Sequence, residues 1–278
     1  MTATVVPFVW VDAFCVGPFS GNPAGVCLLP RPAPAPAMQA LASEIGLSET
    51  AFVWPKAERF GLRWFTPAAE VDLCGHATMA AARALADAGR LPGGSVSFDT
   101  KSGTLVASVD GDEVEIDLPA ETPRPVAPPR ELSSSWPVVR AAAGRFDLVV
   151  EVADADVVRA ADAAAPQLAS VPYRGIALTA GTGAHPGSGA PDYVLRFFAP
   201  RVGVPEDPVT GSVQCVLGPY WGGALGRTQL RAAQLSSRGG ILAVSVRGER
   251  VGVAGRAVTV LSGVITGEAA GRLLAADG

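Results

Sequence analysis

Two short stretches of this 278-residue chain gather residue types able to do acid/base or thiol chemistry. In "VDLCGHAT" a thiol, a glycine and an imidazole adjoin (Cys74, Gly75, His76) just ahead of the alanine-rich "MAAARALAD". In "PEDPVTGS" a carboxylate is followed by two hydroxyls and a glycine (Asp207, Thr210, Gly211, Ser212). A thiol where a helix begins has a lowered pKa and could take a proton from a carbon acid. A glycine there lets a ligand reach the first free N–H groups, which carry partial positive charge and suit an anion. His76 and Ser212 could donate hydrogen bonds to that ligand, or serve only to cap and pack. Asp207 could orient a polar substrate group, or could simply form a turn ahead of a helix. Glu44, two residues before Gly46, falls in the last turn of a predicted helix, where the negative end of the dipole disfavours the carboxylate. If it is also shielded from water, its pKa rises toward the range useful for shuttling a proton near neutrality.

These groups need elements to hold them. "PFVWVDAF" and "AGVCLLP" read as strands around a turn-rich loop, and "MQALASEIG" as a helix with Met38, Leu41 and Ile45 on one face and Gly46 as its C′ residue. "TAFVW" and "FGLRWFTP" read as short strands, residues 75–89 as a helix, and "SVSFDT", "GTLVASVDG" and "EVEIDLP" as a meander turning at Asp110-Gly111-Asp112.

The pattern then repeats. "LRWFTP" at 62–67 returns as "LRFFAP" at 195–200, and "KSGTLVASVDGDEVEI" at 101–116 as "RGGILAVSVRGERVGV" at 238–253. Between them "CGHA" is answered by "TGSV" at 210–213, so Cys74 corresponds to Thr210 and His76 to Ser212. Three matches in one order imply two copies of one α/β unit. Six prolines between 119 and 137 break helix and strand alike and mark the expected junction, giving lobes of 1–120 and 121–278. If two such helix starts converge on one cleft, a small acid is the ligand that they would hold. Two-thiol racemisation is disfavoured, because Thr210 is a poor base opposite Cys74.

Composition removes other classes. The net charge of −4 leaves no basic footprint for nucleic acid, and no apolar run approaches the ~20 residues that span a bilayer. The first residues lack a basic segment and a small-residue cleavage site, so no signal peptide is expected. Four scattered cysteines suit buried thiols in a reducing cytoplasm, and with two histidines they make no zinc spacing, so no metal is expected. No phosphate-loop or dinucleotide fingerprint precedes a helix, so no cofactor is expected either. The glycine-rich stretch at 181–192 precedes a strand and reads as a surface loop with His185 in solvent.

"VDAFCVGPFSGNPAGVCLLP", "SEIGLSETAFV", "RWFTPAAEVDLCGHATMAAA" and "GVPEDPVTGSVQCVLGPYW" closely resemble the phenazine-biosynthesis PhzF-like family. The resemblance implies a diaminopimelate epimerase-like α/β (α+β) fold: two similar lobes, each a β-barrel-like sheet wrapped around a central helix, with the active-site cleft between them. It implies a cytoplasmic, homodimeric, cofactor-free isomerase in which one glutamate, carried over to Glu44, moves a proton within a small carboxylic acid. Asp207 and His76 would assist it, and Gly75, Gly211, Ser212, Thr210 and Cys74 would line the substrate. The chain departs from the family where many relatives read "GSAHC" and this one has Val213 and Gln214. Two other readings stay open, a thiol-dependent dehydratase or epimerase using Cys74 and a non-catalytic small-acid-binding protein.

Overall fold

A computed structural model describes residues 5–91, 93–185 and 187–275. The chain forms two compact units, Met1–Asp117 with Ala254–Gly278, and Leu118–Val253. The junction expected at 120/121 therefore falls three residues earlier, inside a strand rather than among the prolines, and the last 25 residues belong with the first unit, not the second.

The first unit runs β1 (Val5–Ala13), β2 (Asn22–Leu28), α1 (Ala35–Ile45), β3 (Glu49–Lys56), β4 (Arg59–Phe65), β5 (Glu70–Val71), α2 (Gly75–Asp87), β6 (Ser95–Thr100), β7 (Gly103–Asp110) and β8 (Glu113–Pro119). The second runs β9 (Arg124–Val126), α3 (Arg130–Ser133), β10 (Val138–Ala143), β11 (Asp147–Val152), α4 (Ala155–Ala160), α5 (Gln167–Ser170), β12 (Gly175–Gly181), β13 (Tyr193–Ala199), β14 (Val204–Asp207), α6 (Gln214–Leu225), β15 (Gln229–Gln234), β16 (Gly240–Arg247) and the start of β17 (Arg250–Thr266). β17 carries the chain back, and α7 (Gly267–Leu273) ends the first unit. The reason is its length: Ala257–Thr266 pairs antiparallel with the whole of β1, which no element of the second unit could replace.

In the first unit β1, β2, β3, β4, β6, β7, β8 and β17 pair in succession and close into a barrel. α2 packs on β1, β2, β3 and β7. Ten of its thirteen residues are buried, five of them alanines, so the helix is apolar all round rather than on one stripe. Small side chains let strands approach it from several sides, while Met79 and Leu85, both fully buried, fill the gaps. Gly46 ends α1 at φ 69°, the left-handed conformation that favours glycine. Among the described residues no helix is long and apolar enough to cross a membrane.

The second unit repeats the order: β10–β11 antiparallel, β11–β12 parallel, β12–β13 antiparallel, then α6 and β15–β16. The repeat reaches side chains. Arg63 on β4 makes a two-point ion pair with Glu70 on β5 (2.6 and 2.8 Å) and lies 5.2 Å over the Phe65 ring. Arg196 on β13 does the same with Glu206 on β14 (2.6 and 2.7 Å) and lies 5.1 Å over Phe198. The proline-rich segment is not a free connector. Its β9, Arg124–Val126, pairs antiparallel with β10 even though its middle residue, opposite Ala142, is Pro125.

Candidate functional site

The site residues form two clusters, one in each unit. In the first, Cys74 is the extended N-cap of α2, and the first helical bond runs from Thr78 N–H to Cys74 O at 3.1 Å. The N–H groups of Gly75, His76 and Ala77 precede that bond and have no carbonyl partner within the helix, and that of Ala77 faces the Cys74 sulfur. His76 is buried, and its ring meets three side chains. Nε2 lies 3.0 Å from Glu49 Oε2, Nδ1 lies 3.1 Å from Asn22 Nδ2, and Cys74 Sγ lies 3.5 Å from Nδ1 and 4.0 Å from Nε2. β2 and β3 run parallel with Ala24 opposite Glu49, which brings Asn22 and Glu49, the first residues of their strands, to the same end of the barrel.

Burial alone would lower the imidazole pKa, but Cys74 and Glu49 outweigh it and hold His76 well above the ordinary histidine range. The Cys74 thiol is pushed up, first by burial and then by the Glu49 carboxylate, so it stays protonated near neutrality. The lasting electrostatic partner of the imidazolium is therefore Glu49. This corrects the expectation of a lowered thiol pKa: the helix start is outweighed by desolvation and a nearby carboxylate. The Asn22 amide can serve either state of the ring. With Nδ2 facing Nδ1 it donates to neutral imidazole, and with oxygen and nitrogen exchanged it accepts from imidazolium.

Glu44 is not part of this cluster. It is exposed in the last turn of α1, and no hydrogen bond or ion pair joins it to another described residue. The carboxylate that meets His76 is instead Glu49, five residues on, with a side chain 17% exposed. The two share the stretch "SEIGLSET". The available signal was the helix stop at Gly46, which puts Glu49 at the start of a strand aimed into the barrel mouth.

Ligating atoms of Glu49, Cys74 and His76 all lie within 4.8 Å of one another, close enough for a divalent ion to bridge. The thiol would have to lose its proton to an ion before ligating it. Spacing of cysteines and histidines alone could not reveal this group, because its carboxylate comes from another strand.

In the second unit Asp207 ends β14, and its carboxylate accepts from Thr210 Oγ1. Gln234 of β15 ties this loop down: Nε2 donates to Asp207 O at 2.7 Å and Oε1 accepts from Thr210 N at 2.9 Å. α6 begins at Gln214, three residues later than the expected glycine start. Gly211, Ser212 and Val213 instead form a tight turn whose carbonyls accept from Gln214, Cys215 and Val216 at 3.1–3.2 Å. Ser212 is thus outside the helix proper, and it accepts a hydrogen bond from Arg174 Nη2 at 3.3 Å. Gln214, the departure from "GSAHC", is fully buried and accepts from the Tyr193 hydroxyl. The 181–192 loop bridges β12 and β13, with His185 exposed.

An eight-stranded barrel around a buried helix, repeated in outline along one chain, with a carboxylate–imidazole pair at the helix start, defines an α/β protein of the epimerase-like type. The chain belongs to the family described as "Phenazine biosynthesis-like protein", whose pattern matches residues 11–263. A Halalkalibacterium halodurans protein named as an uncharacterized isomerase is 42% identical over 259 residues, covering 92% of this chain and 96% of that one. The crystal structure of a PhzF-family phenazine biosynthesis protein from Enterococcus faecalis superposes with a TM-score of 0.86 at 34% identity, covering 94% of this chain and 99% of that one. A hydroxyproline epimerase from Agrobacterium vitis shares the fold alone, at TM-score 0.59 and 12% identity over 95% and 93% of the two chains. The family and its isomerase-named members support an isomerase- or epimerase-type role.

Proposed function

We propose that the protein is a cofactor-free isomerase that moves a proton within a small carboxylic acid, with Glu49 rather than Glu44 as its single acid/base. The observation that carries this is the Glu49 Oε2–His76 Nε2 contact of 3.0 Å at the start of α2, on a carboxylate that keeps some exposure to a ligand. His76, held charged by that carboxylate, donates a proton or a hydrogen bond to the oxygen where enol charge develops, while Glu49 takes the proton from carbon and returns it to a neighbouring one. Gly75 offers its N–H to the substrate, and Asp207, fixed by Thr210 and Gln234, takes the role that the sequence resemblance implies for it, orienting a polar group of the substrate. Gly211 and Ser212 hold its carboxylate. Thr210 and Cys74 complete the lining, Cys74 as a neutral thiol. The sequence resemblance supports a homodimeric, cytoplasmic enzyme.

The test is proton NMR in D₂O with dihydro-hydroxyanthranilate, comparing wild type, Glu49→Gln, Glu44→Gln and Cys74→Ser. Conversion by all but Glu49→Gln is expected. Loss with Glu44→Gln and retention with Glu49→Gln would reverse the assignment of the base. Loss confined to Cys74→Ser would favour thiol chemistry instead.

A further inference from the structure

We propose that Arg174, acting with the Ser212 hydroxyl, is a carboxylate clamp that makes this protein select acids over their neutral isosteres. The inference rests on the reading of Ser212 as a substrate contact, and it adds a residue that lies in none of the motifs. Arg174 stands one residue ahead of β12, the strand that corresponds in order to β3, which Glu49 opens. Asp147 is the first residue of β11, as Asn22 is of β2. Each unit therefore sends the starts of two parallel strands toward the stretch that leads into its long central helix, the helix start itself in the first unit and the turn ahead of α6 in the second. In the first unit these are Asn22 and Glu49 on His76; in the second Arg174 reaches Ser212 and Asp147 holds Arg174. By the pairing with β4 and β13 Glu49 corresponds to Gly175, so Arg174 stands one residue ahead of the matching position and brings a guanidinium to the same strand start.

The guanidinium is built to bind rather than only to brace. It pairs side-on with the buried Asp147 carboxylate, Nε at 2.9 Å from Oδ1 and Nη2 on Oδ2, and Nη2 also donates to Ser212 Oγ. The Arg174 backbone N–H is tied to Phe146 O at 2.8 Å, and the guanidinium carbon lies 5.6 Å from the Phe146 ring centre. Three of the five guanidinium donors are thereby fixed, and the two on Nη1 make no hydrogen bond among the described residues, although the Glu121 carboxylate also acts on the guanidinium through its charge. Arg196 is the contrast: its Nη1 is used up by Arg159 O and Ala161 O, and its side chain is 11% exposed against 32% for Arg174. Ser212 Oγ, having accepted from Nη2, turns its own proton elsewhere. Two Nη1 donors and one hydroxyl proton then match the two oxygens of a carboxylate.

The probe is anthranilate against anthranilamide, each titrated by NMR into wild type and Arg174→Gln. Wild type is expected to bind the acid, and Arg174→Gln to weaken it on the order of tenfold to a hundredfold while leaving the amide unchanged. Arg174→Lys keeps the charge but not the fork and is expected to recover only part of the preference. Because Arg174→Gln strands a buried aspartate, the Arg174→Gln/Asp147→Asn pair is measured beside it, with the same loss expected from a neutral, folded pair. Equal binding of acid and amide to wild type, binding of neither, or undiminished acid binding by both variants would overturn the clamp. None of these outcomes touches the proton-transfer reading, whose failure shows in the turnover of Glu49→Gln.

Discussion

Replacing Glu49 with glutamine removes the charge that holds His76 protonated, and the structure fixes the sign and size of the effect. At 3.0 Å in an effective dielectric near 20, a full charge pair interacts by about 5 kcal/mol before desolvation is subtracted. Both side chains are largely buried, at 17% and 6% exposure, so solvent screening removes little of it. Breaking a buried pair costs about 3–5 kcal/mol when the remaining charge is stranded, but His76 can shed its proton, which caps the loss nearer ~2–3 kcal/mol. The folded pKa of His76 is raised above its unfolded value. Its stabilising contribution is therefore complete below the ordinary histidine range and is lost as pH climbs through the raised folded value. The penalty of Glu49→Gln should be largest near pH 6 and shrink in alkaline solution. Nitrogen-15 NMR of the imidazoles reads this directly, because the chain has two histidines and His185, exposed in its loop, should not move. Urea unfolding across the same pH series gives the free energies. A His76 titration unchanged by Glu49→Gln would refute the claim that this carboxylate sustains the imidazolium, and with it the proposed proton donor.

All four cysteines are buried, burial pushes Cys215 up to about 12, and Cys74 is raised as well. Ellman's reagent should therefore release almost no thiolate from native protein and four equivalents in urea; fast native reaction at Cys74 would restore the low-pKa thiol. Leu85→Ala, at a fully buried position in α2, should lower stability by about 2–5 kcal/mol in urea melts, and under 1 kcal/mol would mean that the helix is not the packed centre of its barrel. Gly46→Ala meets no atom within 4 Å and so isolates the left-handed backbone, with an expected loss of ~1–2 kcal/mol by thermal unfolding. Tyr193→Phe leaves the buried Gln214 carbonyl oxygen without its hydroxyl donor and should cost about 1–3 kcal/mol by the same measure.

The legible and illegible parts of the chain divide along a physical line. Many strands and the helices α1 and α2 were legible because their signals are local: alternation in "SVSFDT", alanine density after Gly75, glycine after Ile45. The repeat was legible because "LRWFTP" returns as "LRFFAP", and the structure gives part of the reason. Arg63 and Phe65, like Arg196 and Phe198, build an ion pair stacked on a ring, completed by Glu70 and Glu206, which the sequence comparison did not single out. The return of β17 to β1 was not, since nothing local in residues 254–266 names a partner at the far end of the chain. The site was half legible for the same reason. His76 and Cys74 announce themselves beside a helix start, but the carboxylate that charges the imidazole arrives through a parallel pairing of residues 24 and 49, and only that pairing tells Glu49 from Glu44. Duplication explains the asymmetry. Parts that hold the lobes in shape are under one geometric demand in both copies and stay alike, so comparing the copies exposes them. Positions proposed to meet a ligand are under no such shared demand and can diverge, as Glu49 and Arg174 do near the starts of corresponding strands. Chemistry in such a protein should be sought where the two halves of the sequence agree in pattern but disagree in charge.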